Sequence, residues 1–146
     1  MGLDHRLTND LCGFASGERN LITDVPGVSV GHCTLAEGDL RTGVTAILPR
    51  PGNVFLKKLP AAAHVINGFG KSIRLVQIEE LGTLETPLIL TNTFSVGTAA
   101  NALIRYSLEQ NGDIGDTTGT VNPVVLECND GFLNDIRAMA VEERHV

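Results

Sequence analysis

The sequence predicts an α/β fold, with helix and strand layered on one core. Two short runs, 87–90 (PLIL) and 123–127 (PVVLE), are apolar at successive positions, as strands covered on both faces are. Between them lies a stretch of helical period. The chain has 146 residues, 42% of them hydrophobic, which fits a single domain or part of a larger one. Strand, helix and strand in that order argue for an α/β arrangement rather than a sandwich or a bundle.

Taken along the chain, 7–14 can form a short helix, and Thr23-Asp24-Val25-Pro26-Gly27 is a turn in which Pro fixes φ and Gly permits positive φ. Residues 28–35 show β-branched alternation and predict a strand, with 43–48 (GVTAIL) as its hairpin neighbour. Pro49 and Pro51-Gly52 close that strand, and 54–59 is ambiguous. The run 61–66 (AAAHVI), bounded by Asn67-Gly68, suits a buried strand. A helix over 72–81 rests on Ile73, Val76, Ile78 and Leu81, and ends at Gly82. After Thr91-Asn92-Thr93, Ser95 is placed to cap a helix whose stripe is Val96, Ala99, Ala100, Leu103, Ile104 and Leu108. Asn111-Gly112-Asp113 stops it, a loop runs to Asn122, and the strand 123–127 ends in Asn129-Asp130-Gly131.

Charge and composition exclude several function classes. Eleven basic against 17 acidic residues give a net charge of −6, which offers no field to attract a phosphodiester, so nucleic acid is not an expected partner. No apolar run approaches the roughly 20 residues that span a bilayer, and the first residues lack the apolar core of a signal peptide. A soluble, cytoplasmic protein with no membrane partner is expected. The three cysteines, Cys12, Cys33 and Cys128, are far apart and odd in number, against both a disulfide framework and a zinc cluster. The four histidines show no ligand spacing, so neither metal nor cofactor is expected. His32 and Cys33 are strand neighbours, point to opposite faces and cannot pair with each other.

Three constellations could carry chemistry. Gly68-Phe69-Gly70-Lys71-Ser72 resembles the end of a phosphate-binding loop, but Val65 stands where the first Gly of that pattern belongs, and a plain strand-to-helix turn is the simpler reading. Thr93-Phe94-Ser95-Val96-Gly97 is half of a nucleophile elbow, with Thr93 in place of the leading Gly, so Ser95 is more simply a cap than a nucleophile. The third is the pair of strand ends, Asn92-Thr93 and Glu127-Cys128-Asn129-Asp130-Gly131. The carboxyl ends of adjacent strands form the crevice where α/β sheets bind ligands. A carboxylate there requires a partner, and Glu127 can find it in a substrate ammonium, in a nearby Arg or in the amides of a backbone turn that it caps.

Several blocks carry a family resemblance: 22–32 (ITDVPGVSVGH), 41–49 (RTGVTAILP), Asn67-Gly68-x-Gly70, 90–97 (LTNTFSVG) and Glu127-x-x-Asp130-Gly131-x-Leu133-Asn134-Asp135. In this order, from about Leu21 to Val146, they resemble the N-terminal portion of the self-processing aminopeptidases, which include the D-aminopeptidase/D-esterase and the β-peptidyl aminopeptidases.

The resemblance implies a precursor that cuts itself before a serine, leaving α and β chains in one layered α/β/β/α sandwich. The serine that begins the β chain would be the nucleophile and its own amine the base. Residues 1–146 would then be a single partial domain, the α-chain portion, inactive alone and prone to association through uncovered apolar surface. Its partners would be the β chain of the same precursor, a peptide, amide or ester substrate with a free amine, and further α/β pairs in a homo-oligomer. The resemblance also implies that Glu127 holds the substrate's amino group, with Asn92, Thr93 and Asp130 in the substrate crevice. Asn129 takes the place of a family Tyr that helps orient the nucleophile or oxyanion, and Lys71 stands where an acidic residue is frequent. A non-catalytic amine-binding homologue and a self-processing ornithine acetyltransferase, whose nucleophile is threonine, are the alternatives.

Overall fold

The computed structural model describes residues 14–146. The helix expected over 7–14 lies outside the described residues, apart from Phe14. A four-stranded mixed sheet organises the rest. Strands β1 (Ser29–Leu35) and β2 (Thr42–Leu48) form the expected antiparallel hairpin, and β2 pairs antiparallel with β5 (Leu88–Asn92). Strand β6 (Val124–Cys128) runs parallel to β5, and the order across the sheet is β1-β2-β5-β6. The hairpin is closely spaced at Gly43, where a Cβ would collide with the Cys33 carbonyl.

Two pieces complete the mixed α/β fold. The small ribbon β3 (Leu59–Pro60) with β4 (Thr83–Leu84) flanks helix α1 (Leu75–Leu81), and the long helix α2 (Val96–Gln110) links β5 to β6. Parallel neighbours need such a crossover, which is why a helix-periodic stretch lies between two strands in the sequence.

The core has two sides. Val44, Ile89 and Val125 face α2 and meet Val96, Ala99, Ala100 and Leu103, joined by Val141. On the other side Val124 meets Ile78 of α1 and Leu84, with Leu88 and Leu126 beside them. Val124 and Val125, successive residues at 1% and 0% exposure, explain the doubly apolar run in the sequence.

Several expected boundaries move, each for a physical reason. Residues 61–66 form no strand. Pro60 has no amide to extend the ladder, and after Ala61 donates to the Gly82 carbonyl the segment turns outward, leaving Val65 and Ile66 exposed. Helix α1 starts at Leu75 rather than 72, because Ile73 bridges to Val125 and Arg74 is left-handed at φ 65°. It ends as expected at Gly82, φ 63°, whose amide returns to the Ile78 carbonyl. On α2 the buried stripe continues from Leu103 to Ser107 rather than to Ile104 and Leu108. The Ser107 hydroxyl donates to the Leu103 carbonyl, and Leu108 lies exposed. Ser95 does not cap α2 with its side chain. Asn92 caps the 3-10 turn Thr93–Ser95 that precedes the helix, its Oδ1 accepting from the Ser95 amide at 3.1 Å.

Candidate active site

Glu127 is the penultimate residue of β6, beside Thr91 of β5 in the parallel register. Both its carboxylate oxygens are held. Oε1 accepts from the Lys71 amide at 2.9 Å, and Oε2 accepts from the Thr93 hydroxyl in a short contact. Thr93 is positioned because β5 ends at Asn92 and turns directly into α2; Lys71 is positioned because the Ile73–Val125 bridge anchors its loop to β6. These bonds favour the charged form. The Thr93 hydroxyl and, after it, the Lys71 amide and charge pull the carboxyl below the ordinary carboxylate value, and burial opposes them only in part.

The carboxylate is half-buried and lines an open cavity of about 540 Å³. His64, Ile66, Gly68, Ser72 and Arg74 form other parts of its wall. Among the described residues, no Arg or Lys side chain forms an ion pair with Glu127. The Lys71 ammonium makes no ion pair with it but donates to the Phe69 carbonyl and lies 3.4 Å from the Phe69 ring centroid. An oriented anion facing a cavity, with both oxygens fixed, suits a small ammonium group.

The other sequence candidates divide. Asn92 is 4% exposed, and its side chain is fully engaged: Nδ2 donates to Thr42 Oγ1 at 2.8 Å, and Oδ1 accepts from both the amide and the hydroxyl of Ser95. It frames the turn that carries Thr93. Asp130 Oδ1 accepts from Asn134 Nδ2 at 3.1 Å, and Asn134 Oδ1 accepts from the Arg41 amide at 2.9 Å. Asp130 therefore ties the loop after β6 to the hairpin. Asn129 is exposed and folds back, its Oδ1 accepting from the Gly131 amide at 2.9 Å. Sequence reasoning placed Lys71 only in a turn resembling a phosphate-binding loop, not as the amide that orients Glu127, and gave Arg74 no role.

Two lesser candidates fall on geometry. At Gly68–Ser72 the amide that would receive a phosphate oxygen is donated to Glu127, and that carboxylate would repel the phosphate. Ser95 is 2% exposed with its hydroxyl on Asn92, and no described serine is hydrogen-bonded to a histidine. No group of three or more His, Cys, Asp or Glu among the described residues could hold a metal ion. No helix among them is long and apolar enough to cross a membrane.

Comparisons with known proteins agree on one family. The chain is 36% identical over 138 residues to the β-peptidyl aminopeptidase BapA of Sphingosinicella microcystinivorans, a match that covers 88% of this chain and 34% of that protein. The PH0078 protein of Pyrococcus horikoshii OT3 superposes with a TM-score of 0.89 at 56% identity, over 91% of this chain and 40% of that one. The L-aminopeptidase D-Ala-esterase/amidase of Ochrobactrum anthropi, a prototype for the serine aminopeptidases and a variant of the Ntn hydrolase fold, superposes with a TM-score of 0.79 at 34% identity, over 90% of this chain and 39% of that one. The chain thus spans about a third of the length of the curated relatives it matches. Residues 20–146 match the model of peptidase family S58, and with the α/β fold and the strand-end carboxylate already in place, the chain belongs to that family.

Proposed function

We propose that this chain is the amine-holding portion of an aminopeptidase, which hydrolyses an amide or ester bond beside a free amine. The observation that carries the reading is Glu127. Its carboxylate is fixed by Thr93 and the Lys71 amide, stays charged, and faces a cavity with no cationic side chain bonded to it among the described residues. The substrate ammonium completes it, which restricts attack to the first residue of a chain.

In this reading the nucleophile is the N-terminal serine of a companion β chain, released when one precursor cleaves itself. Its hydroxyl oxygen attacks the carbonyl, its own amine takes the proton, and the leaving amine or alcohol departs with that proton. Water then attacks the acyl-enzyme and frees the serine. The exposed side of the sheet supports a companion layer. Val30 and Ile47 are only half-buried and Leu90 is 36% exposed on the face away from α2, while α1 and the β3–β4 ribbon cover that face only around Leu88, Val124 and Leu126. A second sheet packed there would complete an α/β/β/α sandwich, and such α/β pairs would associate further into a homo-oligomer.

The test uses the full-length protein. We expect two bands after self-cleavage, hydrolysis of aminoacyl p-nitroanilides, and none of their N-acetylated forms. A single uncleaved band with no hydrolysis overturns the reading. A non-catalytic amine binder is the second reading, favoured by Asn129, whose side chain closes on the Gly131 amide rather than toward Glu127. It predicts binding of amino acid amides, lost in Glu127→Gln, without turnover.

A further inference from the structure

The wall of the Glu127 cavity also carries a cation with nothing to hold. Arg74 lines the same space, and among the described residues its side chain makes neither hydrogen bond nor ion pair. Its own helix offers no partner: three and four residues on, where a helical neighbour would sit, are Gln77 and Ile78. Arg74 is exposed on that wall, so its guanidinium is accessible to a ligand in the cavity.

The backbone fixes where that side chain starts. Arg74 is left-handed at φ 65°, a conformation that residues with a Cβ adopt rarely and that concentrates at ligand sites. It is held there from both sides. Ile73 before it donates its amide to the Val125 carbonyl at 3.0 Å, and Leu75 after it packs with Ile78, Leu84 and Val124. The same bridge to β6 anchors the loop whose Lys71 amide orients Glu127, so the cavity's anion and its cation share one rigid support.

We propose that Arg74 determines specificity by holding a substrate carboxylate while Glu127 holds the substrate ammonium. This rests on the aminopeptidase reading above. A cavity of about 540 Å³ accommodates a zwitterion of dipeptide size. The planar guanidinium fork matches a carboxylate bidentately, which a neutral amide cannot reproduce. The carboxylate has two sources, an acidic first side chain or the C-terminal carboxylate of a dipeptide.

The test compares matched pairs in the full-length protein. Aspartyl against asparaginyl p-nitroanilide reports the side chain; Ala-Gly against Ala-Gly amide reports the C-terminus. Ketomethylene isosteres of the second pair, which resist hydrolysis, are titrated calorimetrically, together with the aspartyl and asparaginyl amides, so that each ratio is read with or without turnover. The expected preference for the carboxylate is about tenfold in one pair, which corresponds to one good partly exposed ion pair. It falls to about one in Arg74→Gln, is partly kept in Arg74→Lys, and inverts in Arg74→Glu. Ratios near one in the wild type for both pairs, or a preference that survives Arg74→Gln, overturn the proposal. Absence of any hydrolysis of free-amine substrates counts against the aminopeptidase reading instead, and the calorimetric ratios then still decide the role of Arg74.

Discussion

Replacing Glu127 by Gln in the full-length protein removes one negative charge and almost nothing else. The Lys71 amide still finds an oxygen acceptor, and the Thr93 hydroxyl can turn to accept from the new amide nitrogen, so the local frame survives. Stability should change by less than about 1 kcal/mol. Binding of an ammonium should change more. Two unit charges about 4 Å apart attract by about 1 kcal/mol in water and about 4 kcal/mol at an effective dielectric constant near 20. Glu127 is half-buried and its cavity is open, so the lower half of that range applies. A loss of about 2 kcal/mol, or about 30-fold in kcat/KM, follows for free-amine substrates. The assay pairs steady-state hydrolysis of an aminoacyl p-nitroanilide with a thermal melt of the same preparation. A decrease of less than about threefold with an unchanged melt would mean that the carboxylate does not meet the amine, and the reasoning would fail.

Three other perturbations test neighbouring parts of the argument. Thr93→Val removes the strongest influence holding the Glu127 carboxyl below its ordinary range, so its pKa rises. Because amine capture needs the charged form, the acid limb of the kcat/KM profile should move to higher pH; an unmoved limb refutes the role of Thr93. By the same sign, Glu127 contributes stability at neutral pH that is lost as pH falls through its depressed pKa. Asn92→Ala strips buried partners from Thr42 and Ser95 and should lower stability by about 2 kcal/mol in a urea titration, whereas a neutral result would mean the turn holds without it. Glu85 is 5% exposed, receives Lys58, and accepts from the amide and the side chain of Asn122. Glu85→Ala should destabilise by about 3 kcal/mol in the same titration, and a loss under about 1 kcal/mol would show that these groups find water.

Much of the architecture was legible in the sequence because local chemistry and the final fold agree. The β1–β2 hairpin follows from β-branched alternation, and the crossover β5–α2–β6 follows from two apolar runs flanking a helical period. Where they disagree, long-range packing decided. Residues 61–66 look like a buried strand by composition, yet Pro60 and the two-residue ribbon leave them no ladder to join. Leu108 fits the apolar stripe of α2, yet Ser107 is the residue buried there, because its hydroxyl is satisfied within the helix. Glu127 stood out in the sequence as a carboxylate closing an apolar strand, whereas Asn92 and Asp130 could be frame or site. Only their partners separate the two that frame the site from the one that faces it.

The sequence by itself determined the α/β class, the strand and helix order, and a carboxylate at the end of β6, because each is set by neighbours along the chain. Tertiary structure alone decided that Thr93 and the Lys71 amide, 34 and 56 residues away, grip that carboxylate and leave it charged. It also decided that Arg74 shares its cavity. A hydrogen bond depends on distance and direction in space, and neither can be read from a separation in sequence until the sheet has closed.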